Sequence, residues 1–455
     1  MEWLSYRLGI IEIVVVSIVV VFFIFCFKIK DAQLKKEAER RSLKTSKRPS
    51  GVVFGKETNG TIVYSLAADE GHIAVFGGSG SGKTSAILIP TLRCWPGTSL
   101  TIDISGDISS NVDCPNKLIY EPGNPVSAPY DVFAAIDGMD DEDDQNEALA
   151  KIAYLLLPEI PDASANAKYY QDGGRNILTA SLIAFYHSGK DFIDICKIIS
   201  GNTPEQLFKA ISEQRSEIAN YYISNFQGVH PQNVSGCKQT CETAVNFFAT
   251  TKKLWNSIRR PKPGETAFTP AAIEKHNVFV LIPDVKTDVY GPLMGIITAQ
   301  TLAYLSARPT VEQQNVLLCL DEFASLGKLD IIGALRKLRK KRVRIMILTQ
   351  NLTDLEDVYG RGAHRSMLSN FAFTAILGVN ETETQEYLAK LIGQEEKERI
   401  STTSGAGLLG RPSSVTRTRE KDFVIQPSEL SHLGDELILL SPDGCSRLKK
   451  AYYFR

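Results

Sequence analysis

The stretch Gly77–Thr84 reads GGSGSGKT and satisfies the spacing G-x-x-x-x-G-K-[ST], with Gly77, Gly82, Lys83 and Thr84 at the fixed positions. Its flanks decide what it can be. His72–Phe76 (HIAVF) is a short apolar run of strand character and Ser85–Leu92 (SAILIPTL) opens as a helix, so the glycines occupy a strand–loop–helix turn rather than a linker. Residues without a Cβ accept positive φ, which lets Gly77, Gly78, Ser79, Gly80, Ser81 and Gly82 wrap with their N–H groups turned inward. The following helix adds partial positive charge at its N-terminus. Such a loop is a phosphate cradle and predicts ATP or GTP as ligand. Lys83 then reaches the β and γ phosphates, and the Thr84 hydroxyl holds Mg²⁺.

A cradle needs a sheet beneath it and acids beside it. Ser99–Ile104 (SLTIDI) reads as a second buried strand ending in Asp103, and Lys117–Tyr120 as a third. Strands alternating with helices around such a loop argue for a parallel α/β sheet. The alternation then stops. An acidic run, Asp137–Glu147, leads into a stretch reaching about residue 270 with helical spacing (Ile152, Leu155, Leu156; Ile177, Leu178, Leu182, Ile183) and no convincing strand. The sheet resumes at Asn277–Ile282, Val316–Leu320, Val343–Leu348 and Phe373–Leu377. The expected organisation is a nucleotide-binding domain in two parts, 51–136 and 273–455, split by an all-α domain at 137–272. Residues 400–418 are rich in Ser, Thr and Gly and read as a mobile surface loop or, more simply, a plain linker.

The strand Val316–Leu320 ends in Asp321 and Glu322, which puts two carboxylates at a carboxyl strand end beside the cradle. Asp321 is placed to complete the Mg²⁺ shell and Glu322 to orient and deprotonate the attacking water. Gln350 comes after the next strand and is expected beside the γ phosphate as a sensor or water positioner. Between them, Asp330–Arg342 (DIIGALRKLRKKR) combines an apolar face, Ile331, Ile332, Leu335 and Leu338, with six basic residues. Such a helix is either a solvated face or, in a ring-forming ATPase, the source of an arginine that completes the neighbouring subunit's site.

Leu8–Phe27 is apolar except for Glu12 and Ser17, and twenty residues is about what a helix needs to cross ~30 Å of hydrocarbon. Residues 1–30 are therefore read as one transmembrane anchor and 31–50 as a basic juxtamembrane linker. Lys28–Arg48 carries nine Lys or Arg against three acids, which by the positive-inside rule places the bulk of the chain in the cytoplasm. Eight cysteines without a C-x-x-C pair and six histidines without zinc spacing fit a reducing compartment. The whole chain has a net charge of −1, so any DNA contact is local, around a pore for example, rather than a global basic footprint.

Three further stretches, LDEFASLGKL (Leu320–Leu329), RIMILTQNLTDLEDVYG (Arg344–Gly360) and LSNFAFTAILGVNETETQEYLAKLIG (Leu368–Gly393), resemble the coupling proteins of type IV secretion systems, the membrane ATPases of bacterial conjugation. YQDGGRNILTASLIAFY (Tyr170–Tyr186) resembles the start of their helical domain. The resemblance implies a RecA-like P-loop NTPase domain with an inserted all-α domain, assembled as a homo-hexamer on the bacterial inner membrane. It implies hydrolysis of ATP with Mg²⁺ while a relaxase–DNA complex, or protein substrates, are brought to the secretion channel. By position Lys83 and Thr84 match the P-loop pair, Asp321 and Glu322 the catalytic acids, Gln350 the third motif and Arg339 the arginine acting in trans. Family members commonly show two spans where this chain has one. Their usual Asp-x-Lys-Gly-Glu after the second strand is here Asp103, Ile104, Ser105, Gly106, Asp107, so no role of that lysine carries over. Two rival readings remain: a pump for double-stranded DNA of the chromosome-translocase type, and a receptor platform whose nucleotide only holds the ring together.

Overall fold

The computed structural model describes residues 42–160, 163–283, 286–309, 313–326, 329–404 and 412–454. The expected span Leu8–Phe27 lies outside these residues; among the described ones no helix is long and apolar enough to cross a membrane.

Short β-branched and apolar runs begin the chain as an antiparallel group, β1 (Lys44–Ser46), β2 (Gly51–Lys56) and β3 (Ile62–Leu66). Seven strands then run parallel to one another: β4 (His72–Phe76), β5 (Thr98–Asp103), β6 (Lys117–Tyr120), β7 (Asn277–Leu281), β8 (Val316–Leu320), β9 (Val343–Thr349) and β10 (Phe371–Ile376). A separate ribbon, β11 (Gln394–Ser404) with β12 (Pro412–Phe423), precedes the antiparallel pair β13 (Glu436–Ser441) and β14 (Gly444–Lys449). The main sheet has twelve strands in the order β1-β3-β2-β14-β13-β10-β4-β9-β8-β5-β7-β6.

The central strands are buried on both faces because both faces of a parallel sheet are covered. Every residue of β4, β5, β8 and β9 is buried. Alternate side chains divide between two cores. Ala74, Phe76, Leu318 and Ile345 join a core that continues into Ile177 and Val245 of the helical segment, whereas Ile73, Val75, Leu317 and Met346 pack against Ala86, Leu88, Leu92 and Trp95 behind the glycine loop.

Between β6 and β7 the described residues form helices and no strand, among them Glu142–Leu156, Ala165–His187, Phe192–Gly201 and Pro231–Thr250. Ala165–His187 and Pro231–Thr250 approach closely because Gly173 and Gly174 face Cys237 and Thr240. A Cβ on Gly173 would lie 2.4 Å from the Cys237 Sγ, and one on Gly174 3.0 Å from the Thr240 Cβ. Cys237 and Cys241 are free, buried thiols one helical turn apart on this seam, packing as small apolar side chains.

The mobile loop expected at 400–418 is corrected by the structure. Its described residues belong to β11 and β12, which pair antiparallel from Gln394↔Phe423 to Ser404↔Pro412. Opposite charges face across the ribbon at Glu396↔Lys421 and Glu398↔Arg419, a cross-strand complementarity that a Ser/Thr/Gly composition conceals.

Candidate functional site

In a parallel sheet all carboxyl strand ends share one edge, so the segments leaving β4, β8, β9 and β10 converge there. β9 lies between β4, which leads into the glycine loop, and β8, which leads into Asp321 and Glu322. The loop is pinned from both neighbours: the Gly77 N–H donates to Thr349 O at 3.1 Å and the Gly78 N–H to Gly378 O at 2.7 Å. Gly80 and Gly82 take φ of 71° and 98°, the left-handed backbone that the glycines at these places permit. The helix after the loop opens with a wide π-type turn, Lys83–Leu88, before Ile89–Cys94. Pro90, at the start of that second part, has no N–H to return to Ala86, and the wide turn accommodates the missing bond.

Lys83 is buried. Its Nζ donates to Gly77 O at 2.7 Å and lies 3.9 Å from Glu322 Oε1. Burial lowers its pKa, opposed by the negative charges of Glu322, Asp321 and Asp354. Asp321 is also buried, and its Oδ1 has no hydrogen-bond partner. Burial, reinforced by the Glu322 charge, pushes its carboxyl up to about 7. Glu322 adopts φ 44°, an uncommon backbone for a residue with a Cβ, and its Oε2 accepts from Gln350 Nε2 at 3.2 Å. Lys83, Asp321, Glu322 and Gln350 are thus one cluster. Thr84, half-buried, comes directly after Lys83 at the mouth of the loop.

These donors suit Mg²⁺. The unpartnered, buried Asp321 Oδ1 and the Thr84 hydroxyl are both hard oxygen ligands, and Mg²⁺ is ordinarily bound through one or two such groups plus substrate phosphates. Among the described residues no group of three or more His, Cys, Asp or Glu forms a self-sufficient metal cage.

Arg339 is not part of this cluster. It sits in the short turn Arg339–Lys341 before β9, while Gln350 comes after β9, so about 20 Å of strand separates the two. Its guanidinium pairs with Glu70 at 3.2 Å, both side chains being more than half exposed. The basic helix itself is Ile331–Leu338, with Ile331, Ala334, Leu335 and Leu338 buried.

Sequence reasoning left out several neighbours. Asn380, after β10, has its Nδ2 3.6 Å from where a Cβ on Gly78 would stand, and Asp354 lies close enough to bear on Lys83. Both come after strand ends at the same edge, which is the signal that finds them. Asp103 is buried and structural: its two carboxylate oxygens accept from the N–H groups of Gly106 and Ser109, each at 2.8 Å, and so hold the start of the helix Asp107–Asn111.

The family model for type IV secretory system conjugative DNA transfer matches residues 28–455. Among curated relatives, the coupling protein VirD4 of Bartonella quintana is 22% identical over 420 residues, covering 87% of this chain and 64% of its own length. The conjugal transfer protein TraG of Agrobacterium fabrum is 23% identical over 412 residues, covering 84% and 60%. The chain therefore spans about three-fifths of the length of these relatives. Among solved structures, the conjugative coupling protein TrwB in its unbound form superimposes with a TM-score of 0.69 at 19% identity, covering 92% of this chain and 90% of that one. TrwB in complex with ADP and Mg²⁺ gives 0.68 at 18% identity, covering 91% and 92%. The fold is that of a P-loop NTPase built on a large mixed sheet, and with the family model matched from residue 28 to residue 455 the chain belongs to the type IV secretion coupling proteins.

Proposed function

We propose that this chain is a membrane-anchored ATPase that recruits a relaxase–DNA complex, or protein substrates, and drives its transfer to the channel of a type IV secretion system. The observation that carries the proposal is the convergence of Lys83, Asp321, Glu322 and Gln350 at one sheet edge around the glycine loop. The loop Gly77, Gly78, Ser79, Gly80, Ser81 and Gly82 cradles the phosphates: the N–H groups of Gly77, Gly78 and Ser81 hold its frame through Thr349 O, Gly378 O and Gly78 O, and those of Ser79, Gly80 and Gly82 turn to the phosphate oxygens. Lys83 exchanges its bond to Gly77 O for the β and γ phosphate oxygens. Thr84 and Asp321 hold Mg²⁺, which when bound neutralises charge on those oxygens. Gln350 fixes one Glu322 oxygen, leaving the other to take the proton of the attacking water.

In this reading the nucleotide-binding domain comprises 51–136 and 273–455, the all-α domain 137–272 receives substrate, and residues 1–30 anchor the assembly in the bacterial inner membrane with the bulk of the chain in the cytoplasm. Subunits form a homo-hexameric ring, and DNA, single- or double-stranded, passes near its axis. Arg339, remote from its own subunit's site, acts on a neighbour's.

The test is ATP turnover by the full chain, with and without single-stranded DNA, beside DNA transfer between cells for Glu322→Gln. The expected result is turnover raised by DNA in the parent, and in the variant retained ATP binding with turnover and transfer lost by about 100-fold or more. Transfer at parental frequency by a hydrolysis-dead variant would refute the motor and leave the receptor platform.

A further inference from the structure

The chain after β14 returns to the glycine loop. Lys450, buried, is tied down through its N–H to Asp435 O at 2.8 Å and its Nζ to Gly434 O at 2.6 Å. From there Tyr452 lies against the loop: a Cβ on Gly82 would stand 3.2 Å from the Tyr452 Cε1 and 3.6 Å from its hydroxyl. The Tyr453 N–H donates to Ser85 O at 3.1 Å, the residue directly after Thr84. Arg93, itself bonded to Asn111 O, donates to Tyr453 O at 3.2 Å and places its guanidinium 4.9 Å from the Tyr453 ring. Tyr453 is therefore an anchor. The rings of Tyr452 and Phe454 stack on each other at 5.3 Å with 29° between their planes, and Phe454 is 60% exposed.

The polar cluster fixes which way a nucleotide points. Glu322 and Gln350 approach Lys83 from β8 and β9, which marks the end of the loop where phosphate is cleaved. The other end of the phosphate chain, with its nucleoside, leaves past Gly82 and Ser85. That is where the two stacked rings stand. An aromatic pair with an exposed ring beside a phosphate site is a good match to the apolar face of a nucleobase.

We infer that the segment Tyr452–Phe454 is the nucleobase platform of this site, with the base stacking on the Tyr452–Phe454 pair while Tyr453 holds the segment to the loop. The inference rests on nucleotide binding by the glycine loop. Stacking reads the π-face that every base carries, so the platform favours purines over pyrimidines and accepts ATP and GTP alike. Gly82 is then needed twice, for its backbone and for the room it leaves Tyr452.

Titration calorimetry with Mg²⁺ on the full chain, using ATP and inorganic tripolyphosphate as the two probes, tests this. Tyr452→Ala and Phe454→Ala are expected to weaken ATP roughly ten-fold or more while changing tripolyphosphate, which has no base, by less than about two-fold. Unchanged ATP affinity in both alanine variants would overturn the inference, and so would tripolyphosphate falling in step with ATP, since the segment would then merely brace the loop. Because Phe454 is exposed, Phe454→Ala keeps the test alive if Tyr452→Ala misfolds. A parent that binds neither probe would instead sink the nucleotide reading, a result separable from the other two.

Discussion

His72 shows how a single buried side chain can be assigned a protonation state from its partners. Its Nε2 lies 2.8 Å from Leu335 O, and its Nδ1 accepts from the Ile345 N–H at 3.0 Å, so the ring is a donor at one nitrogen and an acceptor at the other, hence neutral. Burial, with the positive charges of Arg344 and Arg339 adding to it, lowers its pKa from 6.5 to about 4. A group depressed in the fold contributes stability above its unfolded pKa and loses it as pH falls through the folded one. Unfolding free energy should therefore drop by on the order of 3 kcal/mol from this residue alone between pH 6.5 and 4. His72→Gln preserves donor and acceptor and cannot titrate in this range. Denaturant melts across that window should show a shallower acid limb for the variant; equal limbs would show that another group dominates. Arg344 makes the complementary point. Fully buried in β9, it donates to Gly71 O, Ser65 Oγ and Leu66 O, all in or after β3, and it stacks over Phe373.

Elements were legible in the sequence to the degree that their cause was local. β4, β8 and β9 are apolar runs closed by motif residues, and each lies within a residue or two of where its composition puts it. The antiparallel strands were not legible, because β2, β13 and β14 owe their order to partners far along the chain rather than to a pattern of their own. Arg344 interrupts the apolar run of β9, and its three acceptors lie more than 270 residues away. The ribbon failed for a third reason: hydroxyl-rich β-branched residues look like linker until the opposing strand supplies the charge pairing. At the site, Lys83, Asp321, Glu322 and Gln350 were found by spacing, whereas no spacing rule points to Tyr452. A two-stranded ribbon off the main sheet, with Glu395–Glu398 exposed, contributes little to the core. Replacing residues 396–421 by an Asn-Gly turn should shift unfolding free energy by less than about 1 kcal/mol. A larger loss in chemical melts would show that the ribbon braces the body.

At the scale of the whole molecule, the distance between Arg339 and its own subunit's cluster becomes an experiment. A trans-acting arginine supplies about 10³ to 10⁵ in rate, so Arg339→Ala should lose turnover with ATP affinity nearly unchanged. Mixing Arg339→Ala with Lys83→Ala subunits should restore part of the activity, because some interfaces then pair an intact loop with an intact arginine. Normal basal turnover with only the DNA-stimulated part reduced would instead assign Arg339 to DNA phosphates, with a weaker salt dependence of binding. Normal turnover in both conditions would leave it as the partner of Glu70 alone.

The strand order carries a consequence of another kind, in time. β4 ends at residue 76, yet its two neighbours, β9 and β10, are made only at 343–349 and 371–376. At ~5–20 residues per second a ribosome needs roughly 15–60 s to cover the intervening 300 or so residues. For most of that interval a strand that is apolar but for His72 waits without its sheet partners while the helices between β6 and β7 emerge. A chain interrupted after residue 84 and before residue 349 carries the complete glycine motif but neither of the Thr349 and Gly378 carbonyls that pin Gly77 and Gly78. Competence to bind nucleotide is thus acquired late, when the strands on either side of β4 have been made.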